Sequence, residues 1–153
     1  MSLKENLFSD ATEAMKSRDK DRLAVLRMVK SKIQEQEVQL RTRKGKDYQL
    51  TDEETLGVIT SYAKQRKQSI AAYREANRPD LAEQEEKELE ILNSYLPKQL
   101  SREEIEKIVE ESVAESGASS LKDMGLVMKT VMPRLKGAAD GKLVNEVVRS
   151  KLG

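Results

Sequence analysis

Lysine and arginine side chains are the groups in this sequence best suited to bind a ligand, and they are concentrated in its last quarter. Residues 116–153 contain seven basic and three acidic residues. Several of these cations lie beside predicted helix junctions that contain glycine, and the free amide groups of a helix N-terminus favour phosphate. The pattern predicts an RNA-binding surface with five candidate contacts: Lys129, Arg134, Lys136, Lys142 and Arg149. The alternative is an ordinary solvated helix surface, because scattered basic charge is common.

A second basic segment covers residues 27–46, which hold seven basic and two acidic residues. Arg27 and Lys30 fall near one flank of a predicted helix, and we interpret them as further candidate RNA contacts. Arg43 and Lys44 lie at the predicted end of that helix, where positive charge complements the helix dipole. A structural role is therefore the alternative for this segment.

An acidic segment follows at residues 80–90, which contain six acidic residues and one basic residue, Lys87. Paired carboxylates can in principle transfer protons or bind a metal ion. Nothing near them in the sequence predicts a dry pocket, and exposed carboxylates keep near-normal pKa values. We therefore expect a solvated helix face.

The amino-acid composition excludes several kinds of catalytic site. The chain has no cysteine and no histidine, which rules out disulfides, thiolate nucleophiles, His-ligated zinc and Ser-His-Asp catalysis. Charged residues make up 36% of the chain and hydrophobic residues 37%, which leaves little apolar mass for a pocket that shifts pKa values. We expect no catalytic residue, no cofactor and no metal.

Apolar residues recur at helical spacing throughout the first part of the chain. The spacing predicts helices over about residues 2–17 and 19–43. Thr51 and Glu54 then form a capping-box pattern that opens a third helix. Pro79 both ends the third helix and suits the first turn of a fourth. The prediction is an all-α hairpin or bundle of four helices.

Pro97 is the best candidate for a domain boundary, which gives an N-terminal domain of residues 1–96 and a C-terminal domain of residues 97–153. A second capping box, Ser101 with Glu104, predicts the next helix. Two more helices follow, one capped by Ser119 or Ser120 and one that begins near residue 140, so the C-terminal domain has three.

Five residues at the last two helix junctions have predicted structural roles. Asp123 and Asp140 each precede or open a helix, where a carboxylate caps backbone amides. Gly125 and Gly137 match no phosphate-loop spacing and are interpreted as close-packing or turn glycines. Gly141 follows Asp140 and marks the start of the last helix.

Five segments together resemble the YqeY-like proteins in order and spacing, and the resemblance covers nearly the whole chain. They are residues 26–31, 95–101, 123–125, 127–128 and 137–142. These proteins contain the GatB/YqeY domain, which also forms the tail of the B subunit of the glutamine-dependent aminoacyl-tRNA amidotransferase. Pro97, Asp123, Gly125, Gly137, Asp140 and Gly141 belong to the matching pattern.

The resemblance implies an all-helical fold with an N-terminal helical part and a tail-like C-terminal domain. In the amidotransferase that tail lies against the outer, elbow side of tRNA, and the chemistry occurs on other domains and subunits. It therefore implies a non-catalytic protein that binds tRNA or associates with amidotransferase subunits. The alternative is a protein–protein adaptor that uses the N-terminal helical hairpin. A carbon–nitrogen ligase with glutamine as nitrogen donor is less favoured, because no glutaminase constellation or nucleotide-phosphate motif is present.

The sequence gives no sign of a membrane partner. No stretch approaches the ~20 apolar residues that a membrane-spanning helix needs. The first residues lack the basic start and apolar run of a secretory signal. We expect a cytoplasmic protein.

Overall fold

The structure is a computed structural model and describes every residue except 136. In the described residues, helices form all of the regular secondary structure. The predicted all-α fold is confirmed. The chain divides into two compact units, Met1–Leu96 (unit 1) and Pro97–Gly153 (unit 2). That each unit is a domain able to fold alone stays a prediction.

Unit 1 contains four helices that surround one apolar core. They are α1 (Leu3–Ser17), α2 (Lys20–Lys44), α3 (Asp52–Glu75) and α4 (Pro79–Asn93). α1 packs along α2, and α4 packs along α3. The core includes Leu26, Ile33, Ile59 and Leu92, so all three of the later helices contribute to it.

Three of the four helices of unit 1, α1, α2 and α3, begin at a residue whose side chain caps a backbone amide. Thr51 accepts a hydrogen bond from the Glu54 amide, and the Glu54 carboxylate accepts one from the Thr51 amide. Ser2 and Glu5 form the same reciprocal pair at the start of α1. Pro79 occupies the first turn of α4, where its missing N–H costs nothing.

The described residues of unit 2 form three α-helices and a short 3-10 turn. They are α5 (Arg102–Ser116), the 3-10 turn (Leu121–Asp123), α6 (Met124–Leu135) and α7 (Gly141–Leu152). Both α6 and α7 pack against α5. The fully buried core contains Ile105, Val109, Val127, Val131, Leu135, Val144, Val147 and Val148.

The middle helix of unit 2 differs from its prediction. The sequence predicts a single helix from Ser119 or Ser120, but the α-helix begins only at Met124, after the 3-10 turn. Ser120 makes no side-chain capping hydrogen bond. Because a 3-10 turn has about three residues per turn, the apolar stripe loses its register there, and Leu121 is 51% exposed.

Candidate nucleic-acid interface

The turn before α7 is held by hydrogen bonds from the segment that precedes α5. The Gln99 side chain donates to the carbonyl of Gly137 at 2.7 Å, and the Leu100 amide donates to the carbonyl of Ala138 at 2.9 Å. Gly137 has a φ of 75°, which favours glycine. Two segments nearly forty residues apart in sequence are thus fixed against each other at the start of α7.

Asp140 caps α7, the helix that presents two of the candidate cations. Its carboxylate accepts a hydrogen bond from the Lys142 amide at 3.2 Å. Lys142 and Arg149 are both exposed, and their seven-residue spacing places them on one face of the helix, about 10 Å apart along its axis. The turn therefore fixes the position of a two-cation helix face.

The remaining candidates of unit 2 have different surroundings. Lys129 is exposed on α6, and within the described residues no carboxylate pairs with it, with Lys142 or with Arg149. Arg134 donates to the Glu111 carboxylate at 2.9 Å and to the Ser112 hydroxyl at 3.4 Å, so it is held against α5.

Lys136, also a predicted RNA contact, lies outside the described residues.

The two candidates of unit 1 lie on α2. Arg27 is exposed, and among the residues that the structure describes it has no carboxylate partner. Lys30 is half-buried, with its Nζ 4.7 Å from the centroid of the Phe8 ring. A cation over a ring face stabilises the packing of α1 on α2, which gives Lys30 a structural role.

Two motif residues, Asp123 and Gly125, lie at the start of α6. Asp123 lies within the 3-10 turn, and its carboxylate accepts from the Ser119 amide at 3.0 Å, behind it in the chain. Gly125 is exposed in the first turn of α6, and a Cβ there would meet nothing within 4 Å. Within the described part of the chain, neither a close contact nor a positive φ requires glycine at position 125.

The other two motif positions need no special backbone conformation either. A Cβ on Gly141 would lie 3.9 Å from the Met132 side chain, an ordinary contact. Pro97 is exposed and is the first residue of unit 2.

The acidic helix α4 is only in part the solvated face that its composition predicted, since Asp80, Glu83 and Glu90 are exposed but Glu85 and Glu88 are half-buried. The Glu85 and Glu88 side chains are only 19% and 22% exposed, and their carboxylates lie 3.0 and 2.9 Å from the Nε atom of Arg66 on α3. Burial raises the pKa of Glu85, and the positive charge of Arg66 opposes that effect. The two carboxylates are half-buried because α4 packs along α3, and the spacing of residues within α4 alone does not reveal that packing.

Glu37 on α2 is a buried carboxylate that was not among the predicted site residues. The signal was present: Leu26, Val29, Ile33 and Leu40 form the apolar stripe of α2, and position 37 is the step that is missing between the last two. A charged residue in an apolar stripe is buried only when it is paired. Glu37 is paired, since it accepts from the Lys4 ammonium and from a backbone amide.

Two observations bear on other kinds of site. Among the described residues, no set of three or more carboxylate side chains is grouped as a metal site would be. Across the same residues, no helix has the length and apolar character needed to cross a membrane.

Comparison with known proteins places the chain in a family. The model of the Yqey-like protein family matches residues 4–152. An uncharacterized protein of Schizosaccharomyces pombe is 36% identical over 89 residues, which are 58% of this chain and 68% of that protein. Altered inheritance of mitochondria protein 41, mitochondrial, of Pyrenophora tritici-repentis is 28% identical over 151 residues, or 96% of this chain and 79% of that protein.

A third relative belongs to an enzyme. The E subunit of the glutamyl-tRNA(Gln) amidotransferase of Thermococcus sibiricus is 46% identical over 57 residues, which are 35% of this chain but only 9% of that relative. The amidotransferase relative is thus an E subunit, whereas the motif pattern suggests the B subunit. The match along 4–152 covers both units, and on it we conclude that the chain belongs to the YqeY-like protein family.

Proposed function

We propose that this chain binds tRNA through exposed cations of unit 2 and carries out no chemistry of its own. The observation that supports this most is the 46% identity with part of a glutamyl-tRNA(Gln) amidotransferase. The name of that enzyme refers to a tRNA. A segment that this chain shares with one of its subunits therefore occurs in a protein that meets RNA. Association with an amidotransferase rests on the same similarity. The expected cytoplasmic location stays a prediction, since one relative carries a mitochondrial name.

The proposed contacts are Lys129, Lys142 and Arg149. All three are exposed, and in the described part of the chain none is neutralised by a carboxylate. A free cation gains more from a phosphate than one that must first give up an ion pair. Arg134 is left out for that reason, because Glu111 already pairs with it.

The composition of unit 2 favours recognition of the RNA backbone. The sequence has no Phe, Tyr or Trp after Tyr95, so unit 2 has no aromatic ring on which an unstacked base could lie. Single-stranded RNA is usually read with such rings. A folded RNA whose phosphates follow a fixed path fits the cations better.

Filter binding of the full chain to total tRNA over a range of KCl concentrations tests this proposal. Two or three phosphate contacts predict weak binding whose log–log salt slope is about −2 to −3. Unlabelled folded tRNA should compete better than single-stranded polyuridine. Absence of binding at low salt, or equal competition by polyuridine, would contradict the proposal.

A further inference from the structure

The side of α6 that faces away from the core combines apolar residues with lysines. Steps of three and four residues place positions 126, 129 and 133 on one side of α6, with position 125 beside them, and Lys122 lies in the 3-10 turn before the helix. Leu121 lies in the 3-10 turn that leads into this side. The α6 outer face is defined by Leu121, Lys122, Gly125, Leu126, Lys129 and Pro133, all of them exposed.

Apolar exposure on this face is unusual within its own unit. Leu121 is 51% exposed and Leu126 is 50% exposed, and they are the exposed large hydrophobic residues among the described part of unit 2. The opposite side of α6 is already fully used, because Val127 and Val131 are completely buried against the unit 2 core. The two leucines are therefore not needed to hold α6 in place.

Gly125 and Pro133, also on this face, have no long side chain that would keep a partner away. Gly125 has no side chain, and a Cβ there would meet nothing within 4 Å, so the helix surface is low at that point. Pro133 lies inside α6 and has no N–H to donate to the carbonyl of Lys129 one turn earlier.

The lysines on the two sides of Leu126 specify the charge of the partner. Lys122 and Lys129 are exposed, and neither pairs with a carboxylate in the residues that the structure describes. They are seven residues apart, about 11 Å along the helix axis, because Lys122 lies in the 3-10 turn, where the rise per residue is larger than in an α-helix. Carboxylates one heptad apart on a partner helix match that separation, with apolar residues between them to cover the leucines.

We propose that the α6 outer face docks an amphipathic helix of a protein partner that has apolar residues flanked by carboxylates. An apolar face that meets a helix is a common mode of peptide recognition. Leucine and proline neither donate to phosphate nor stack on bases, which disfavours RNA at Leu126. Two leucines offer too little apolar area for a membrane surface.

This proposal goes beyond tRNA binding but shares Lys129 with it, so the test substitutes Leu126 and Lys122, which are not proposed tRNA contacts. The probe is a labelled synthetic helical peptide with leucines at heptad positions and glutamates seven residues apart beside them, and the control peptide has lysines in place of the glutamates. Fluorescence anisotropy with the full chain should show micromolar binding of the glutamate peptide only. Leu126→Ser should weaken that binding at least tenfold and leave tRNA binding unchanged.

A charge exchange gives the sharpest result. Lys122→Glu should weaken binding of the glutamate peptide and create binding of the lysine peptide, whereas Lys107→Glu on the exposed side of α5 should do neither. All substituted side chains are exposed, and circular dichroism would verify that the variants stay helical. The proposal is overturned if the glutamate peptide does not bind, if Leu126→Ser has no effect on it, or if no exchange occurs. Loss of binding to tRNA or to phosphatidylglycerol vesicles on Leu126→Ser would overturn it too.

Discussion

Glu37 is a buried carboxylate that joins three segments of unit 1. Its side chain is 3% exposed, and one oxygen accepts from the Lys4 ammonium at 2.7 Å and from the Leu50 amide at 2.8 Å. Lys4 belongs to α1, Glu37 to α2 and Leu50 to the connection before α3. One polar side chain thus fixes the register of all three.

Replacing Glu37 by alanine should destabilise unit 1 by about 3 kcal/mol, because the buried Leu50 amide and the Lys4 ammonium both lose their partner. Urea unfolding followed by circular dichroism measures the change. The matched control is Glu35→Ala on the same helix, whose exposed ion pair with Lys32 is worth at most about 1 kcal/mol. Equal losses in the two variants would show that burial of Glu37 is irrelevant.

Tyr95 makes a second polar connection within unit 1. Its hydroxyl donates to the Asp10 carboxylate at 2.6 Å and accepts from the Arg22 guanidinium at 2.8 Å. Burial raises the pKa of Tyr95, the hydrogen bond to Asp10 raises it further, and Arg22 opposes both. The segment that follows α4 is thereby connected to α1 and α2.

A raised pKa in the folded state makes stability fall at alkaline pH. The contribution of Tyr95 to the free energy of unfolding is fully present below pH 10, the ordinary pKa of tyrosine. It is lost as the pH rises above that value, because the unfolded chain releases the phenol proton before the folded chain does. Tyr95→Phe should cost about 1 kcal/mol at pH 7 and should reduce the further loss between pH 9 and pH 11. Urea unfolding of both proteins at the three pH values checks this. An identical alkaline loss in the two proteins would contradict it.

At the scale of elements, helix ends show what local sequence can predict. α1 ends at Arg18 with φ 60°, and α3 is followed by Asn77 with φ 58°, both in the left-handed region. Asparagine tolerates that conformation, but arginine does not favour it. At the end of α1, therefore, the residue type and the backbone conformation disagree.

Arg18→Gly should stabilise unit 1 by about 0.5–1 kcal/mol, since glycine adopts a positive φ without steric cost. Arg18→Ala keeps the strain and should give no gain. Asn77→Gly should give less than Arg18→Gly, because asparagine already accepts the conformation. Thermal melts of the three variants test the order. A melting temperature that rises equally for alanine and glycine at position 18 would contradict the explanation.

Sequence predicted the helices well because their signals are local. Thr51 with Glu54, and Ser101 with Glu104, are three residues apart, so the capping hydrogen bonds can be read from the spacing. The 3-10 turn at Leu121–Asp123 was missed, because a few residues of altered pitch leave no periodic signal.

The candidate site was predictable only in part, since the sequence does not reveal which helices pack together. Spacing identifies Lys142 and Arg149 as cations of α7, but it could not show that Glu111 on α5 neutralises Arg134 on α6. The same limit explains the burial of Glu85 beside Arg66. Pairs of residues from different helices require the tertiary structure.

At the scale of the whole molecule, unit 2 has a hydrophobic core that consists of residues from unit 2 itself. The segment 97–153 should fold alone, with a cooperative urea transition and a stability of only about 3–5 kcal/mol, as expected of so short a chain. Leu135→Ala removes a fully buried side chain, costs about 2–5 kcal/mol and should nearly abolish that transition. A non-cooperative loss of helicity in the unsubstituted segment would contradict the prediction.

The central claim, that tRNA binds the cations of α7, is tested most directly by two charge-reversed variants of the full chain. One is Lys142→Glu with Arg149→Glu, and the other is Lys64→Glu with Lys107→Glu at exposed sites on α3 and α5, so that both have the same net charge. We predict that the first variant binds tRNA at least tenfold more weakly, with a salt slope smaller by about 2, and that the second binds like the unsubstituted chain. Equal loss in both variants, or no loss in the first, would contradict the claim.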